Sequence, residues 1–195
     1  KDRFDKEETI ENMRGAVVTI ILNDGHGSGF IVSEDGYILT NNHVVGDSRF
    51  VKVKFTTGRE VMGEVIRTNK KRDVALVKLE KDSYPYLKIG DSSKIKIGDE
   101  VFAIGSPLSK ELSQTVSKGI ISSFRIFEGV RFIQSDVSVQ QGNSGGPLLS
   151  VKEGVVGICV AETGFWTFSG TISAGLNYFI PIEEAIKELK IIQVK

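Results

Sequence analysis

Apolar and polar positions alternate along most of this chain in short runs separated by turn residues. Residues 16–22 are apolar and β-branched and end at the turn signal Asn23-Asp24-Gly25. Residues 27–32 and 37–40 form a hairpin pattern around Ser33-Glu34-Asp35-Gly36, and residues 51–55 alternate with period two before Thr57-Gly58 turns the chain into 61–65. Residues 74–79 close a first block of about six strands. A second block follows the 88–97 connection, with strand patterns at 100–105, 113–118, 119–124, 132–134, 148–149, 155–160 and 177–180. Only residues 181–190 change period. Their apolar positions fall at 182, 185, 186 and 189, with proline and acids early and lysines late, which predicts a helix.

The pattern predicts an all-β protein: two six-stranded antiparallel β-barrels, over about 15–90 and 98–181, with a C-terminal helix at 181–190. The first 14 residues are highly charged, with Ile10 and Met13 three apart, and read as a short surface helix or a solvated arm ahead of a domain at 15–195. The two blocks show no obvious repeat of sequence.

Composition narrows the classes. The chain has 195 residues, 40% of them hydrophobic, enough for one substantial domain. Lys plus Arg and Asp plus Glu both number 25, so no net field draws the chain to nucleic acid or an anionic membrane. No apolar run approaches the roughly 18 residues of a spanning helix. The chain starts at Lys1 rather than Met, as expected of a processed or trimmed fragment. Cys159 has no second cysteine to pair with and reads as a small core residue. Two histidines and one cysteine make a poor zinc set, so no metal is expected.

The chemistry concentrates in Gly142-Asn143-Ser144-Gly145-Gly146. Gly142 and Gly146 allow backbone angles closed to residues with a Cβ, and Gly145 lets another molecule approach the hydroxyl. Such a turn can aim N–H groups at an oxyanion; a plain β-turn with Ser144 as a turn former is the competing reading. The Gly-x-Ser-x-Gly elbow of α/β-hydrolases is excluded, because strands rather than a helix follow Ser144 and both histidines precede it.

A serine nucleophile needs a base, and the base an orienting group. His43 leaves a strand into the apolar turn Val44-Val45, a firmer mount than His26 between Gly25 and Gly27 in a loop. Asp73 heads the core strand 74–77, where an acid is costly unless partnered; its partner is His43 or the basic run Lys70-Lys71-Arg72. Asp136 is read as a brace for the serine's own turn, and Asp47, Asp91 and Asp99 as loop or turn aspartates. The order His43, Asp73, Ser144 is the chymotrypsin order.

The motifs Gly27-Ser28-Gly29-Phe30, Thr40-Asn41-Asn42-His43-Val44-Val45, Asp73-Val74-Ala75-Leu76 and Gly142-Asn143-Ser144-Gly145-Gly146-Pro147 resemble the protease domain of the HtrA/DegP family over residues 15–186. The resemblance implies an ATP-independent serine endopeptidase acting on unfolded or damaged proteins outside the cytoplasm, in quality control and stress response. It implies homotrimers held partly by the N-terminal segment, and neither metal nor organic cofactor. By position, His43 is the general base, Asp73 its orienter and Ser144 the nucleophile. Backbone N–H groups of Gly142 and Ser144 form the oxyanion hole, with a peptide at Asn143 that can flip. Substrate pairs as a strand with Ser173-Ala174-Gly175, while Leu176, Asn177 and Tyr178 line the pocket for the residue before the cut.

Several positions depart from the family pattern. Val139-Gln140-Gln141 stands where the family commonly has Ile-Asn-Pro, and the loop between Leu22 and Gly27 is short. The chain ends after the helix, where the family usually continues into PDZ domains. The alternative function is a latent protease-like module that binds exposed strands, gated by mobile loops at 124–129 and 163–173.

Overall fold

A computed structural model describes residues 6–23, 25–106, 114–160 and 177–193, with side chains from Ile10 onward. Two closed barrels account for all twelve strands among them, every strand pair being antiparallel. The first holds β1 (Val17–Leu22), β2 (Gly25–Ile31), β3 (Tyr37–Thr40), β4 (Phe50–Lys54), β5 (Glu60–Asn69) and β6 (Val74–Leu79) in the order β1-β2-β3-β6-β5-β4. The second holds β7 (Glu100–Gly105), β8 (Thr115–Phe127), β9 (Val130–Ser135), β10 (Pro147–Ser150), β11 (Gly154–Val160) and β12 (Asn177–Pro181). Its order, β7-β8-β9-β12-β11-β10, repeats that of the first barrel strand for strand, although the sequence shows no repeat.

Three apolar clusters explain which strands alternate and which do not. Val18, Ile20, Ile31, Ile38, Val53 and Val77 fill the first barrel; Val101, Ile121, Ile133, Leu148, Val156 and Phe179 fill the second. A third cluster lies between them and includes Phe30, Leu39, Leu76, Ile104, Leu149 and Ile158. Strands β6 and β11 bury both faces, one in a barrel and one against this seam, and so read as continuous apolar runs. Cys159 belongs to the second barrel's core, where burial pushes its thiol pKa up.

The helices cover the seam. α1 (Lys6–Arg14) is the helical form of the charged N-terminal segment, and its Ile10 is buried in the seam cluster. α3 (Ile182–Glu188) packs Ile182 and Ala185 there, with Leu189 just beyond its end. Pro181 sits at the cap position, one residue before the helix it was expected to begin.

The second barrel departs from the sequence reading in two places. The patterns at 113–118 and 119–124 are one strand, β8, which starts at Thr115; Gly119 does not break it because the strand passes Asp136 there, whose Oδ1 accepts the Ile120 N–H at 2.8 Å. The segment 124–129 is not a loop. Phe127 pairs with Val130 across Glu128 (φ 50°) and Gly129 (φ 78°), a tight two-residue hairpin with both central φ values positive. Residues 163–173 lie outside the described ones.

Candidate active site

His43 stands on α2 (Asn42–Val45), one helical turn between β3 and β4, where the sequence predicted only an apolar turn. The first N–H groups of a helix have no partner within it. At His43 that donor finds Asp73: the main-chain N–H reaches Oδ1 at 2.9 Å, while the ring Nδ1 lies 2.7 Å from Oδ2. A carboxylate only accepts, so Nδ1 carries a proton, and the lone pair of the neutral ring falls on Nε2. One side chain thus fixes the ring's position and its tautomer. Asp73 itself is left-handed (φ 61°), a conformation aspartate tolerates better than most residues, and its carbonyl accepts the Asn41 amide at 3.0 Å.

The basic run beside Asp73 is not its partner. Arg72 is 7% exposed and turns across the seam: Nε donates to Glu184 Oε2 on α3 at 2.6 Å, NH2 donates to the Arg131 carbonyl, and the guanidinium lies 4.7 Å from the Phe132 ring centre. Lys70 pairs with Asp47 on the surface. Asp73 is therefore left to the histidine.

Ser144 sits in the loop before β10, locked to the first barrel by one residue to which the sequence assigned no role. Ser28 is fully buried on β2. Its N–H donates to the Ser144 carbonyl at 2.8 Å and its hydroxyl to the Gly142 carbonyl at 2.6 Å, while its Oγ accepts the Ser106 N–H at 2.9 Å. Thr40 Oγ1 in turn donates to the Ser28 carbonyl at 2.7 Å. Asn143 N–H donates to the Gln140 carbonyl at 3.0 Å, and Gly142 at the third turn position has φ 96°, the pattern of a type II turn, closed without the family's proline. The Asn143 carbonyl is taken by Gly146 N–H at 2.9 Å. Carbonyls 142, 143 and 144 are thus all drawn into the fold. Among the described residues the Gly142 N–H makes no backbone bond.

The glycines serve differently from the expectation. Positive φ falls at Gly142 and Gly145, not Gly146. A Cβ on Gly145 would stand 2.2 Å from the Ser28 carbonyl and 2.3 Å from Thr40 Oγ1, so its bareness admits the other barrel rather than a ligand. Gly146 is needed for room, since its Cβ would lie 2.5 Å from the Ile104 carbonyl.

His43, Gly142 and Ser144 line one cleft of about 670 Å³ between the barrels. His26 lines it too; it lies on β2 opposite Ile21 rather than in a loop, because β1 and β2 pair as far as Leu22 and Gly25. Asp136 holds β8 and not the serine's turn. Asp91 caps the 3-10 turn at Ser92–Lys94 through Ser93 and Asp99 accepts the Lys96 N–H, both turn roles as expected. Of the expected substrate contacts, Ser173, Ala174, Gly175 and Leu176 lie outside the described residues. The Asn177 amide donates to the Val137 carbonyl at 2.7 Å. Tyr178 points to the other face of β12, edge-on to Phe127 and Phe132, because successive strand residues alternate.

Two six-stranded barrels with a serine, a histidine and an aspartate gathered at their seam define a double-barrel serine peptidase fold. A family model for the trypsin-like peptidase domain matches residues 27–158, and the chain belongs to that family, on its HtrA/DegP branch. A probable periplasmic serine endoprotease DegP-like of Pseudomonas putida (strain GB-1) is 45% identical over 164 residues, covering 82% of this chain and 33% of the relative. The protein of the same name from Hahella chejuensis (strain KCTC 2396) is 44% identical over 164 residues, covering 82% and 34%. A solved structure of the HtrA-type protease AlgW with tripeptide has a TM-score of 0.80 at 29% identity, over 93% of this chain and 61% of that one. The chain spans about a third of the length of the curated relatives it matches.

Proposed function

We propose that this chain is a serine endopeptidase that cleaves polypeptides through an acyl-enzyme. The observation that carries the proposal is the double grip of Asp73 on His43 at the wall of the cleft that holds Ser144. His43 Nε2 takes the Ser144 hydroxyl proton as Oγ bonds to the substrate carbonyl carbon. The oxyanion turns toward the N–H groups of Gly142 and Ser144, with the Asn143 peptide between them, and a donor of this kind contributes about 3–4 kcal/mol. His43 then passes the proton to the leaving nitrogen as the C–N bond breaks, and water repeats the sequence to release the acyl group. The type II turn at Gly142 supports an open hole at rest, so a non-cleaving strand-binding module is not favoured.

By family membership we extend the reading to unfolded polypeptide substrates, cleavage without ATP, an extracytoplasmic setting and a homotrimer. Relatives named periplasmic support the setting, and no helix among the described residues is long and apolar enough to cross a membrane. Residues 173–176, with Asn177, are proposed to hold the substrate before the cut. The test is digestion of a reduced, unfolded protein by wild type and Ser144→Ala. Loss of cleavage with an unchanged melting curve is expected; wild-type cleavage by the alanine variant would overturn the assignment.

A further inference from the structure

The cleft at Ser144 does not end at the proposed reacting residues. It continues over the outer face of the first barrel, where β1, β4 and β5 lie side by side with Ile21 opposite Lys52 and Lys52 opposite Met62. Phe50 and Met62 both line it and are 51% and 53% exposed, two large apolar side chains on a face that ought to be polar. Ile21 extends the same wall toward the β1–β2 turn, while Leu22, next to it on β1, packs into the barrel. Around this strip the charges are already matched: Lys52 lies 3.5 Å from Glu60, Arg49 lies 3.7 Å from Glu64, and the Arg49 guanidinium covers one side of the Phe50 ring at 5.3 Å. An apolar strip rimmed by paired charges is built to be covered by something apolar and without net charge.

Direction identifies the occupant. The segment proposed to hold the substrate before the cut leads into β12 of the second barrel, whereas the cleft is walled by β1, β2, α2, β4, β5 and residues 141–144. A chain that enters along the second barrel and is attacked at Ser144 leaves over the first. We propose that Phe50 and Met62, with Ile21, form a docking strip for apolar side chains of the substrate residues that follow the scissile bond. The strip makes such substrates preferred and releases them as the amine product. The proposal rests on the peptidase reading and adds a selectivity to it.

The test uses two substrate types sharing one sequence before the cut. A p-nitroanilide ends at the cut and reports the serine chemistry alone; internally quenched peptides carry either Leu and Phe or Ser and Asp in the three positions after it. Wild type is expected to favour the Leu/Phe peptide by about tenfold in kcat/KM, the scale of a modest apolar pocket. In the double variant Phe50→Ser, Met62→Ser, that preference is expected to fall to within about threefold of unity, with the peptide-to-anilide ratio falling alongside. A preference that survives the double variant overturns the proposal, and so does a shift of oligomeric state on sedimentation, which would make a second copy the occupant. Failure of wild type to hydrolyse the anilide or take a fluorophosphonate label would instead overturn the peptidase reading beneath it.

Discussion

Arg72 and Glu184, 112 residues apart, form an ion pair with Nε 2.6 Å from Oε2, directly behind the residue that holds His43. The pair joins the β5–β6 turn of the first barrel to α3 on the far side of the seam. Asn69 and Arg67 reinforce the same junction, the amide donating to Glu188 at 2.8 Å and the guanidinium to the Leu189 carbonyl at 2.8 Å. Asp73 therefore leads into β6 from a backbone anchored in the other half of the molecule.

That anchorage makes Glu184→Ala costly. Among the described residues it leaves the buried Arg72 guanidinium with the Arg131 carbonyl, the Phe132 face and the more distant charges of Glu188 and Asp73. Breaking a fully buried pair costs about 3–5 kcal/mol, and because Glu184 is 28% exposed the lower end, about 3 kcal/mol, is expected in urea unfolding. Replacing both partners, as Arg72→Met with Glu184→Leu, should recover most of it. Unfolding midpoints equal to wild type for Glu184→Ala would show that the pair contributes nothing.

Asp73→Asn isolates the proposed orienting role. Asparagine tolerates the left-handed backbone at least as well as aspartate, so the fold should stand. The amide can present N–H to Nδ1, and the proton then sits on Nε2, where it blocks base action. kcat should fall by about 10⁴ with KM within a few-fold, as for this substitution in serine proteases of the chymotrypsin type. A variant retaining more than a tenth of wild-type kcat would remove Asp73 from the mechanism.

The barrels were legible in the sequence, and His43, Asp73 and Ser144 stood out as candidates, because both readings rest on local pattern. Period-two runs mark strands, and Gly142–Gly146 and the His43 turn are dense in unusual residues. α2 was not legible, since four residues are too few to show a helical period. Nor was the role of Ser28: residues 27–32 read correctly as a strand, but its four hydrogen-bond partners come from β3, the end of β7 and the Ser144 loop. The basic run Lys70-Lys71-Arg72 stood beside His43 as an alternative partner for Asp73 by adjacency, yet consecutive residues entering a strand point to opposite faces, and Arg72 turns to Glu184. What the sequence hid is the set of contacts made across the seam.

Cys159 gives a test of the second barrel that is independent of activity. Burial raises the thiol's pKa above its ordinary value of 9.0, so the native state holds a proton that the unfolded chain releases in alkali. Above about pH 9 the unfolded state binds fewer protons, and stability should fall with rising pH by up to about 1.4 kcal/mol per unit from this group. At pH 8 iodoacetamide should leave native Cys159 unmodified by mass spectrometry and label it fully in urea. Labelling at equal rates in both conditions would contradict a closed barrel.

Ser28→Ala tests whether the first barrel shapes the serine's loop. The substitution removes the hydroxyl that donates to the Gly142 carbonyl and accepts from Ser106, leaving two buried backbone groups without it. Such groups cost about 1–3 kcal/mol each, and the unfolding free energy should drop on that scale. The larger consequence concerns the Gly142–Asn143 peptide. With its carbonyl released, that peptide is held only by the Asn143 N–H bond to the Gln140 carbonyl, and a carbonyl turned to face the cleft would repel the oxyanion its neighbours are proposed to stabilise. The defect belongs to the transition state rather than to substrate binding, so kcat should fall about 10–100-fold while KM changes little. Ser28→Thr keeps the hydroxyl and should restore kcat if the added methyl fits beside Gly146, whose position already lies close to the Ser28 Cβ. A Ser28→Ala enzyme with wild-type kcat would mean that the turn at Gly142 holds its own shape, and the bond from the first barrel would then be packing alone.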